Sequence, residues 1–141
     1  QTMARSVVVA SPLGLDADVE NGSCRVLVAG ADLSLAFLLA DRLILHGFYA
    51  TVSTAVRNLD QVLDIQKPDA VLLDLDSGSE AVFRALAAID RCSIHAVLFS
   101  SEPAEAWNGH INPATSVFFR KPFEAERVLN HLDSLKDEPG V

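Results

Sequence analysis

Cysteine is scarce in this 141-residue chain: Cys24 and Cys92 stand far apart and outside any CxxC or Cys/His spacing. That spacing argues against a metal site and fits buried, reduced thiols in a cytosol. Basic residues are few as well, 11 Lys and Arg against 19 Asp and Glu, for a formal net charge of −8. Neutralising phosphates takes clustered cations, so direct nucleic-acid binding by this segment is not expected. No apolar run approaches the roughly 20 residues of a membrane-spanning helix, and the N-terminus lacks the charged, apolar and small-residue plan of a signal peptide. Neither GxGxxG nor GxxxxGK[ST] occurs, and no Ser/His/Asp or Cys/His pairing supports nucleophilic catalysis. His46, His95, His110 and His131 share no ligand spacing and read as structural or solvated. The expectation is a cytoplasmic domain that is not an enzyme and makes no membrane contact.

Hydrophobic residues are plentiful, at 50% of the chain with 21% charged, enough for one domain with a full core. Residues 1–22 read as an N-terminal extension, mostly tail, with the run Val7-Val8-Val9 as an alternative edge strand. Residues 23–136 read as the domain and 137–141 as a linker or tail. "RVLVAG" predicts a first strand, followed by a helix over about Leu33–His46, capped by Asp32 or Ser34 and stopped by Gly47. "FYATVS" predicts a second strand, after which Thr54 caps a helix carrying Val56, Leu59 and Leu63. "DAVLLDL" has the two-sided apolar character of a central parallel strand, and Val82, Ala85, Leu86 and Ile89 mark the helix after it. "IHAVLFSS" and "TSVFF" supply two more strands, separated by a weak helix candidate that Gly109 and Pro113 cut short. Glu124–Lys136 predicts the last helix, with Val128, Leu129, Leu132 and Leu135 inward.

Five strands alternating with five helices imply an α/β fold: a flavodoxin-like, doubly wound, five-stranded parallel sheet of order 2-1-3-4-5 with helices on both faces. In such a sheet, ligands and reactive groups gather at the carboxyl ends of the strands. Those ends carry Gly30, Ala31 and Asp32; Asp74 and Asp76; Ser100 and Ser101; and Arg120, Lys121 and Pro122. An acid, a hydroxyl and a lysine therefore meet at one edge. A carboxylate can attack a phosphoryl donor when the charge on the moving group is neutralised, usually by a divalent cation and a lysine.

With these motifs, residues 25–136 resemble the receiver domain of two-component response regulators. "PDAVLLDLD" resembles the phosphoacceptor strand and puts Asp74 at the phosphorylated position. "AVLFSS" puts Ser100 at the hydroxyl that bonds the phosphoryl group. "SVFFRKPF" supplies Lys121 as the lysine, Pro122 as the proline after it, and Phe118 as the switching aromatic. Two departures fall on the metal half of the site. Gly30 and Ala31 stand where receivers carry the acidic pair that holds Mg²⁺, and the segment "DLDSGSEAVF" is about three residues shorter than usual, with Gly78 near the usual proline.

The reading that follows is an atypical pseudo-receiver acting by protein contacts, with a direct Asp74–Lys121 ion pair and no cofactor. A working phosphoacceptor, modified on Asp74 by a histidine kinase or phosphotransfer protein, is the alternative; Mg²⁺ would then fall to Asp32 and Asp76. A small-molecule domain on the same fold is a second alternative. Expected partners are proteins: a sensor kinase, an output domain or a second copy. Leu35, Leu38, Leu39 and Leu43 of the first helix are assigned to the sheet, and Phe37 and Ile44 to a separate side open to a partner. Trp107 is weighed between core packing and an interface.

Overall fold

The apolar residues of the first strand alternate between two cores. In the computed structural model, which describes residues 6–8, 24–54 and 56–136, Val26 and Val28 face one hydrophobic cluster and Leu27 and Ala29 the other. Helices on both faces require this two-sided burial. The elements run β1 (Ser6–Val8), β2 (Arg25–Ala29), α1 (Leu33–Leu45), β3 (Tyr49–Ser53), α2 (Leu59–Gln66), β4 (Ala70–Asp74), α3 (Ser79–Cys92), β5 (His95–Ser100), β6 (Ser116–Arg120) and α4 (Ala125–Lys136). Strands β2 to β6 are parallel, in the spatial order β3-β2-β4-β5-β6, which is the expected 2-1-3-4-5 arrangement.

A sixth strand joins the sheet from the segment whose pattern predicts mostly tail. β1 pairs antiparallel with β3, Val7 opposite Val52, and so extends the sheet at the β3 edge. Residues 9–23 and 137–141 lie outside the described residues, as does the rest of the expected extension and tail.

Four other expectations are corrected. Thr54 does not cap α2, because a 3-10 turn over Val56–Asn58 comes first and Asn58 occupies the cap position without a side-chain bond. The weak fourth helix is only a 3-10 turn, Ala104–Trp107, bounded by Pro103 and Gly109, leaving four α-helices among the described residues where the sequence predicts five. On α1 the sheet-facing set is Ala36, Leu39, Ala40, Leu43 and Ile44, at positions i, i+3, i+4, i+7 and i+8, so Ile44 is inside and Leu38 is exposed. Leu33, Phe37, Leu38 and Leu45 remain exposed apolar residues of that helix. Cys92 is exposed rather than buried, and Cys24 is intermediate.

α1 and α4 cover one face and α2 and α3 the other. Trp107 is buried with the second cluster, in a T-shaped contact with Phe83, which stacks on His110. β4 is buried along its whole length, and each of its leucines contributes about 1.5–3 kcal/mol by leaving water. This central strand carries Asp74 to the sheet edge on a rigid support.

Candidate functional site

The carboxyl ends of β2, β4, β5 and β6 meet as the topology requires, and they bring Asp74, Ser100 and Lys121 together. Asp74 is 4% exposed and Ser100 is fully buried. Lys121 Nζ donates to Asp74 Oδ1 at 2.9 Å and lies 3.1 Å from Asp76 Oδ2. One ammonium therefore bridges two carboxylates.

Asp76 makes the most extensive set of contacts. Its Oδ1 accepts from Ser100 Oγ at 2.8 Å and its Oδ2 from the Ser101 backbone N–H at 2.9 Å. Ser100 Oγ also accepts from the Glu102 N–H at 2.9 Å, so the hydroxyl is occupied on both sides. Burial opposes ionisation of Asp76, but the bonds from Ser100, Ser101 and Lys121 outweigh it and hold the carboxyl below its ordinary value. Burial likewise opposes the charge on Lys121, and its bonds to Asp74 and Asp76 and their negative charge overcome it, raising the ammonium above its ordinary value.

The short β4–α3 loop explains this arrangement. The Asp76 N–H donates to Asp74 Oδ1 at 2.9 Å, and the Ser77 N–H reaches the Asp74 carbonyl at 3.3 Å, so the chain turns tightly. Gly78 then starts α3 at φ 118°, a conformation that side chains with a β-carbon rarely take. The turn brings Ser77 Oγ to accept from the Ala31 N–H at 3.0 Å, tying the loop to the end of β2.

Mg²⁺ needs near-octahedral oxygen ligands, and the residues here do not fit that demand. Gly30 and Ala31 offer no carboxylate, and a β-carbon at Gly30 would stand 2.9 Å from Asp74 Cβ. Asp32 turns away to cap α1, its Oδ1 accepting from the Leu35 N–H at 3.2 Å. The space between Gly30, Asp32, Leu35, Asp74 and Phe99 is about 10 Å³, the least that holds one water. No three His, Cys, Asp or Glu residues converge on a possible ion among the described residues.

Phe118 is half-buried against the cluster that contains Leu98 and Trp107. The Lys121–Pro122 peptide is cis. Sequence reasoning missed Ser77 altogether and weighed Asp76 only as a metal ligand. The available signals were the Asp-x-Asp spacing in a shortened loop and the adjacent hydroxyls Ser100-Ser101.

No family model matches this chain, and no curated protein matches it. Solved structures do. The Francisella response regulator 1452 receiver domain superposes with a TM-score of 0.70 at 16% identity, over 81% of this chain and 97% of that one. A response regulator receiver protein from Sinorhizobium medicae gives 0.68 at 18% identity, over 82% and 95%. The orphan response regulator HP1043 of H. pylori gives 0.66 at 20% identity, over 80% and 96%. The chain therefore has the fold of response-regulator receiver domains. No helix among the described residues is long and apolar enough to cross a membrane.

Proposed function

We propose that the chain is a pseudo-receiver: a signalling domain of response-regulator type that works through protein contacts and does not use Mg²⁺-dependent phosphoryl transfer. The observation that carries this reading is the bridging of Asp74 and Asp76 by Lys121, beside Gly30 and Ala31, which offer no carboxylate, with a β-carbon at Gly30 running into Asp74 Cβ. The partners are proteins, a kinase, an output domain or a second copy, and the exposed apolar residues of α1 are available to them. No cofactor is needed.

The retained set of Asp74, Ser100 and Lys121 favours one other reading, a working phosphoacceptor on Asp74. Incubation with a small phosphodonor and Mg²⁺, followed by intact-mass analysis, separates the two. An unmodified chain is the expected result. An acid-labile adduct that disappears in Asp74→Asn would establish the phosphoacceptor instead. Mg²⁺ titration followed by Trp107 fluorescence is expected to show no saturation.

A further inference from the structure

We propose that the Asp76 carboxylate is the resident anion of the site formed by Ser100, Ser101 and Lys121, holding by its own side chain the arrangement that a phosphoryl group would otherwise impose. This deepens the pseudo-receiver reading and rests on it.

The donors come from two elements and converge on a single side chain. A hydroxyl at the end of β5, the backbone N–H after it, and an ammonium beyond β6 all lie within 3.1 Å of the Asp76 oxygens. A hydroxyl, an amide and a lysine form the donor set that suits a dense oxyanion, and a carboxylate satisfies it with charge-assisted bonds. The short loop is what delivers this carboxylate. Bonding of the Asp76 N–H to Asp74 folds the chain back, and Ser77 pins the turn to Ala31.

Ser100 is thereby fixed. Its hydroxyl donates to Asp76 and accepts from the Glu102 N–H, so moving it would break two bonds at a fully buried residue. A second oxyanion cannot enter until Asp76 leaves, because a like charge at the same donors would be repelled. The chain thus holds one state of the β5 and β6 ends without covalent modification.

The test uses inorganic phosphate in EDTA on the ¹⁵N-labelled full chain, with ionic strength held constant, and reads the Ser101 amide resonance. In the wild-type chain that resonance should not move. In Asp76→Ala it should shift saturably as phosphate takes the vacated donors. Asp76→Asn keeps the shape, removes the charge, and should respond more weakly. A saturable Ser101 shift in the wild-type chain would overturn the proposal without any variant, and so would a folded variant of either kind that shows none. No covalent step or metal is involved, so failure here is distinct from failure of the pseudo-receiver reading, which the phosphodonor experiment reports.

Discussion

Gly30 lies directly against Asp74: a β-carbon at position 30 would stand 2.9 Å from Asp74 Cβ, well inside the 3.5–4.0 Å at which carbon atoms pack. The backbone at Gly30 is not in the left-handed region, so the close approach alone selects glycine. Gly30→Asp, which restores an acid to this strand end, should therefore destabilise the chain by about 1–3 kcal/mol through overpacking. Urea unfolding should show a lower midpoint with an unchanged slope. The variant should still gain no stability from Mg²⁺; a metal-dependent rise in its midpoint would mean that the loop yields and the ion site reassembles.

Asp32 is the acid that follows Gly30 and Ala31 in the chain, and its side chain is already engaged at the start of α1. Asp32→Ala should cost about 1 kcal/mol, the usual consequence of losing an N-cap acceptor. A cap and a metal ligand differ in what else changes. The loss should be the same with Mg²⁺ present or in EDTA, whereas a ligand role would make the two measurements diverge.

The strand order was legible because the strands are apolar on both faces and the helices carry their stripes at helical spacing, as Val82, Ala85, Leu86 and Ile89 illustrate. Positions where local and tertiary demands compete were not. Ser6–Val8 is too short to distinguish a strand from a tail until β3 offers an unpaired edge. Leu38 and Ile44 exchange places because both are apolar, and only the angle at which α1 meets the sheet assigns them. At the site, the strand ends named Asp74, Ser100 and Lys121, since parallel topology alone brings them together. The contacts of Asp76 depend on the path of a four-residue loop, which spacing does not specify.

His95 at the start of β5 and His131 on α4 are stacked, with their Nε2 atoms 2.8 Å apart. Burial lowers the proton affinity of both below the ordinary 6.5, and the charge of His131 lowers that of His95 further. The unfolded chain takes up protons at 6.5, while the folded chain does so only at lower pH. Stability is therefore complete above 6.5 and declines as pH falls through the depressed values. Thermal unfolding between neutral pH and about pH 5 should show this decline. His131→Phe, which keeps a ring against His95, should make the decline shallower; an unchanged slope would remove the pair as its source.

Lys121 is the only cation within bonding distance of both Asp74 and Asp76 among the described residues. Lys121→Met keeps the length of the stem but leaves two carboxylates facing one another. The expected loss is about 2–4 kcal/mol, below the most severe broken pairs because the Lys121 and Asp76 side chains keep 22% and 27% exposure. The loss should shrink as pH falls into the carboxylate range, where protonating one acid removes the repulsion. On the alkaline side the contribution of Lys121 should be complete below 10.5 and be lost as pH rises from there through the raised value. Combining Lys121→Met with Asp74→Asn should restore part of the lost stability, with a coupling energy of about 0.5–3 kcal/mol in a double-mutant cycle. Additive effects would instead mean that the ammonium serves mainly Asp76, and the Asp74 contact would then be a consequence of the geometry rather than a support for it.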